Sequence, residues 1–71
     1  MNNLELLSVI ALLEDLPSHR LQRGQVGTVV EHLKTEVYEV EFSDDDGRTY
    51  ASLALRPEQL IVLHHKLKKA A

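Results

Sequence analysis

Apolar and polar residues alternate most regularly in Val37-Tyr38-Glu39-Val40-Glu41-Phe42. An extended chain sends successive side chains to opposite faces, so Tyr38, Val40 and Phe42 share one face and Val37, Glu39 and Glu41 the other. Ahead of this run, Arg23-Gly24-Gln25-Val26-Gly27-Thr28-Val29-Val30-Glu31 places two glycines before a β-branched stretch. Glycine reaches backbone angles closed to other residues, which predicts a sharp turn followed by a bend within a strand. The two runs read as the central hairpin of a small, strongly curved β-barrel, with strands over 26–33 and 37–43 joined by Lys34-Thr35-Glu36.

The flanking segments supply the remaining strands. Residues 4–16 fit a helical stripe through Leu4, Leu7 and Ala11, yet Val9-Ile10-Ala11-Leu12-Leu13 is equally a strand, apolar on both faces. A strand over about 6–14 is preferred, because the later β pattern needs a first strand to pair with. Leu16-Pro17-Ser18-His19-Arg20-Leu21 reads as a loop, since proline cannot donate to a ladder and holds the preceding residue extended. Ser43-Asp44-Asp45-Asp46-Gly47 predicts a hairpin turn with positive φ at Gly47. A fourth strand follows over about 48–55, and then a single helical turn over 56–59 with Pro57 at its first position. Leu60-Ile61-Val62-Leu63 closes the set. The expectation is an all-β SH3-like barrel of five strands over residues 1–63, with a one-turn 3-10 helix before the last strand and a basic tail over 64–71.

This pattern has more apolar positions than one small core needs. The expected core is Tyr38, Val40, Phe42, Leu53, Leu55 and Leu60 with Val9, Val29 and Val62. That leaves Ile10, Leu12, Val30 and Ile61 on outward positions. Either Leu4, Leu6, Leu7 and the C-terminal residues fold back over them, or they form a contact patch for another chain. Contiguous exposed apolar surface usually marks an interface, so on the second reading these four are the candidate partner-binding residues.

Charge sharpens the picture. The chain of 71 residues carries 8 Lys and Arg against 11 Asp and Glu, a net charge of −3. Lys66, Lys68 and Lys69 lie in the last eight residues, so residues 1–63 hold 5 basic and 11 acidic side chains, a net −6. A body this acidic repels phosphate backbones and disfavours nucleic acid as a partner. The same charge suits a protein with a basic surface, and Asp44, Asp45 and Asp46 are placed to steer such a partner. A second copy of the chain, giving a homo-oligomer, is the alternative occupant. No apolar run approaches the roughly 20 residues that cross a bilayer. The first residues lack the basic-then-apolar pattern of a secretory signal, so a cytoplasmic protein is expected.

Candidate chemistry is sparse. With no cysteine there is no thiolate or disulfide chemistry. Three consecutive aspartates lack the alternate spacing and distant glutamate of an EF-hand calcium loop. Adjacent His64 and His65 would point to opposite faces of a strand, and no histidine pair has the helical spacing of a metalloprotease. Glu39 and Glu41 lie on one strand face, but opposite Tyr38, Val40 and Phe42 they read as a solvated side. Arg48 follows the acidic turn and is expected to offset its charge. No serine sits in a nucleophile motif, and no cofactor-binding pattern occurs. The expectation is therefore not an enzyme, with no cofactor and no metal.

Leu12-Leu13-Glu14-Asp15-Leu16-Pro17, the Arg23–Glu31 run, Tyr38-Glu39-Val40-Glu41-Phe42 and Leu55-Arg56-Pro57-Glu58-Gln59-Leu60 together closely resemble a family of small bacterial proteins. That family is common in cyanobacteria and is known as a domain of unknown function. The resemblance spans about residues 6–64 and implies an SH3-like fold without a catalytic motif. Its members often sit beside genes for small toxin-like or uncharacterised proteins, which implies an antitoxin- or immunity-like role. More loosely, Gly24-Gln25-Val26-Gly27-Thr28-Val29 is similar to the second strand of SH3-like subunits of photosystem I and ferredoxin–thioredoxin reductase. It is similar also to KOW-type nucleic-acid-binding barrels, which give the alternative reading. All of these are binding or scaffolding modules, so the expected function is a protein-binding module or an accessory subunit of a larger complex.

Overall fold

The computed structural model describes residues 4–64. Five strands, β1 (Val9–Leu12), β2 (Val26–Lys34), β3 (Val37–Ser43), β4 (Thr49–Leu55) and β5 (Leu60–Val62), form one antiparallel sheet in the order β4-β3-β2-β1-β5. Two 3-10 turns, Pro17–His19 and Pro57–Gln59, punctuate it. The expected all-β arrangement, with a 3-10 turn before the last strand, is what the chain adopts, and the Pro17–His19 turn is an addition within the segment expected as a loop. The barrel does not close: β4 and β5 are the two edges of the sheet, and each pairs on one side only. The predicted tail, with Lys66, Lys68 and Lys69, lies outside the described residues.

Curvature originates in β2. A Cβ on Gly27 would stand 2.8 Å from Cε2 of Phe42 and 2.9 Å from the Glu41 carbonyl oxygen. The fully buried Phe42 ring thus occupies the space a side chain would need. Gly24 (φ 91°) and Gly47 (φ 82°) serve differently, supplying the left-handed angle their turns require. Two register shifts against β3, between Val29 and Glu31 and between His32 and Lys34, leave Val30 and Leu33 as extra residues. Bulges of this kind bend a strand and increase its twist. A third, between Phe42 and Ser43, leaves Tyr50 as the extra residue of β4.

The core consists of Ile10, Leu12, Leu21, Val29, Tyr38, Val40, Phe42, Leu55 and Leu60, with Leu4, Leu16, Ala51, Leu53 and Val62 half-buried against it. β3 buries the face its alternation predicted. β1 buries the opposite one: Ile10 and Leu12 are 0% and 1% exposed, and Val9 is half-buried outside the cluster. Ile10 pairs with Gly27 and Val62, and Leu12 with Leu60. That register turns the bulkier apolar pair of the strand to the face that Gly27 shares with the core. Leu21, from the loop before Gly24, plugs the end of the core, where its backbone bonds to Leu16 in both directions. Above Tyr38 the His32 ring stacks at 4.5 Å and 11°, a geometry that contributes about 0.5–1.5 kcal/mol.

The strand expected over 6–14 is shorter at its start. Residues 5–8 form a turn in which the Ser8 amide donates to the Glu5 carbonyl at 3.1 Å, and Leu7 takes φ 71°. The Leu7 amide still reaches the Val29 carbonyl at 2.7 Å, so the turn is anchored to β2. Leu7 is nevertheless 73% exposed. A left-handed angle at a residue with a Cβ costs about 1–2 kcal/mol.

Two stability predictions follow from this packing. Phe42→Ala should cost about 3–5 kcal/mol and Gly27→Ala about 1–3 kcal/mol in urea denaturation; unchanged midpoints would show that the Phe42–Gly27 contact is not central. Leu7→Gly relieves the turn and loses little burial, against about 0.5–1 kcal/mol of added unfolded-chain entropy. Its melting temperature should equal or exceed that of the parent protein, whereas a clear fall would mean that the leucine side chain contributes to the fold.

Candidate protein-docking face

With Ile10 and Leu12 inside, the outward positions of β1 are Val9 and Ala11, and exposed Leu13 follows just past its end. Ala11 pairs with Val26 on one side and Ile61 on the other, giving an apolar row across β2, β1 and β5. Val26, Ile61 and Leu13 are 51%, 50% and 45% exposed. Val9 extends the strip, and its carbonyl accepts the Leu63 amide at 2.8 Å. Because two strand spacings separate β2 from β5, the strip is about 10 Å wide between outer strand axes, and Val9 to Leu13 runs about 13 Å.

Farther across the same face the surface becomes anionic. Val9 pairs with Thr28, Thr28 with Glu41, and Glu41 with Ser52. Glu31 stands directly opposite Glu39, an arrangement of like charges that weakens a sheet. Hydroxyls partly serve two of these carboxylates: Ser52 donates to Glu39 at 2.5 Å and Thr49 to Glu41 at 3.4 Å. Among the described residues the one ion pair is Arg56 with Glu58, at 2.8 Å. The outer face therefore carries an apolar strip on one half and glutamates without cationic partners among the described residues on the other.

The residues predicted to form a site are dispersed. Ile10 and Leu12 are core residues, so the expectation that they point outward is corrected. Val30 is half-buried on its bulge, and Ile61 is exposed as expected. Asp44–Asp46 sit at the tip between β3 and β4, with two strands between them and β5. Oδ1 of Asp44 accepts the Asp46 and Arg48 amides at 2.9 and 3.0 Å, and its carbonyl accepts the Gly47 amide at 2.9 Å. Asp44 thus shapes the turn. Arg48 enters through its backbone, and its guanidinium forms no ion pair with the three aspartates, contrary to expectation. Sequence reasoning missed Val26 and Leu13, although the rule that a strand with two apolar faces can bury only one pointed to their class.

Among the described residues no three of His, Asp and Glu gather to hold a metal ion. A depression of about 360 Å³ beside the first 3-10 turn is lined by Asp15, Pro17, Arg20, Leu21 and Gln22. Its acid is already engaged, since Oδ1 of Asp15 accepts the Arg23 amide at 2.8 Å. No described helix is long and apolar enough to cross a membrane.

Fold and face together define a small all-β domain with one apolar side that no described residue covers. The chain belongs to the family described as domain of unknown function (DUF4926), whose profile matches residues 6–62. No curated protein and no solved structure matches it.

The division of labour at the acidic tip is testable by thermal melts. Asp44→Ala removes the oxygen that orders the turn and should cost about 0.5–1.5 kcal/mol. Asp45→Ala should change stability by less than about 0.5 kcal/mol. Equal losses would show that Asp44 holds no special place.

Proposed function

We propose that this chain is a non-catalytic protein-binding module of the bacterial cytoplasm, acting as an antitoxin- or immunity-like protein or as an accessory subunit of a larger complex. The observation that carries the reading is the row Val26–Ala11–Ile61 with Leu13, a cross-strand apolar strip left outside a small core. Exposed apolar residues in such a row gain by burial against another chain, at about 25 cal/mol per Å² removed from water. The acidic body supports a partner with a basic surface, since complementary charge raises encounter rates. The absence of cysteine and of any nucleophile or cofactor motif in the sequence supports a non-catalytic role.

The experiment is affinity purification of the tagged protein from its native cells, in parallel with an Ile61→Asp variant, with mass-spectrometric identification of what is retained. A stoichiometric protein partner, present with the parent chain and lost with the variant, is the expected result. Retention of nucleic acid at about 150 mM salt, equal for both proteins, would overturn the reading in favour of a KOW-type barrel.

A further inference from the structure

We propose that the occupant of the outer face is an amphipathic helix whose apolar side lies along β1 and whose flank facing β3 is basic. The inference rests on the protein-binding reading and specifies the partner's chemistry. A sheet face becomes stable when a second layer packs on it. The strip's dimensions suit a helix: its width of about 10 Å between outer strand axes is that of a helix with side chains. Its run along β1 matches two to three helical turns. Val9, Ala11 and Leu13 would line the axis, with Val26 on one side and Ile61 on the other.

Charge chooses the flank. A helix lying along β1 has β2 and β3 on one side. Glu41 stands level with Val9 across Thr28, and Glu31 and Glu39 continue the same outer face past the Val9 end of the strip, within reach of a helix that runs on in that direction. The described ion pair involves none of these glutamates. Lysine or arginine on that flank would relieve the Glu31–Glu39 repulsion and exchange like-charge neighbours for opposite ones. A second copy of this chain is a poorer occupant, because residues 1–63 carry a net −6 and two such bodies repel.

The test is fluorescence anisotropy with the full 71-residue protein and two labelled peptides of about 14 residues, four turns each. Both carry leucines on one face; one has lysines along a single flank and the other has glutamates there. The lysine peptide should bind in the micromolar range and the glutamate peptide should not. The Leu13→Gln, Val26→Thr, Ile61→Thr triple variant, shown folded by circular dichroism, should weaken binding by about tenfold or more. Ile61→Thr alone, half-exposed on an edge strand, carries the same test with a smaller loss should the triple variant not fold. Replacing Glu31, Glu39 and Glu41 by Gln should weaken binding about threefold and flatten its salt dependence.

Equal binding of both peptides, or undiminished binding by the strip variants, would overturn the proposal. Neither peptide binding, with a native partner still lost on Ile61→Asp, would reject the helical occupant and leave the protein-binding reading standing. A concentration-dependent dimer abolished by the strip variants would assign the face to a second copy and overturn the proposal as well.

Discussion

The contact between the Phe42 ring and the bare backbone of Gly27 is the constraint on which the sheet depends. It lets β2 and β3 approach where both must curve, and the bulges at Val30 and Leu33 continue the bend. Ile10 pairs with Gly27 from the other side, so one missing side chain serves two neighbours. With Phe42 packed on Gly27 and Ile10 in register with it, the inward faces of β1 and β3 are fixed, and with them everything that remains outside.

Polar side chains then tie the loops to this frame. Gln59 accepts the Arg56 amide through Oε1 and donates through Nε2 to Glu14, each near 2.9 Å, joining the turn before β5 to the chain just after β1. Asp15 accepts the Arg23 amide. Gln25 accepts the Gln22 amide and donates to the Tyr50 hydroxyl at 2.6 Å. The bulge that re-aims Tyr50 thus links β4 to the segment before β2, although the strands at the sheet's edges never pair. Many of these residues lie in the stretches that carry the family resemblance. Their work is to hold turns, so the stretches that carry the resemblance are accounted for by the fold alone.

Legibility in the sequence followed the contrast between faces. β3 alternates carboxylates with large apolar groups, so its inward side could be read directly, and the Asp44–Gly47 turn and the Pro57 helical turn carried their own chemistry. β1 is apolar on both sides, and periodicity alone gives no preference; the pairing of Ile10 with Gly27 decides, a long-range fact. The same ambiguity placed Ile10 and Leu12 in the candidate site and kept Val26 and Leu13 out of it. Leu21 escaped notice because a lone leucine in a polar loop has no period. The turn at Leu7 was hidden for another reason: a left-handed angle is signalled by glycine or asparagine, and a leucine there gives no warning.

An open five-stranded sheet has one concave side, which its own curvature fills, and one convex side, which needs a second layer or water. On the β3–β4 half, glutamates, serine and threonine give the convex side to water. On the β5–β1–β2 half, Val9, Ala11, Leu13, Val26 and Ile61 do not, and no second layer stands among the described residues. A fold that needed only solubility would carry polar groups at Val26 and Ile61, where half-exposed threonine would serve β geometry equally well. The apolar choice at these positions adds nothing to the core, and the Glu31–Glu39 pair farther along the same face works against the sheet. Two features that each weaken or fail to help the isolated domain thus share one face. In the docking we propose, contact with a surface at once apolar and cationic is the setting in which both would become favourable.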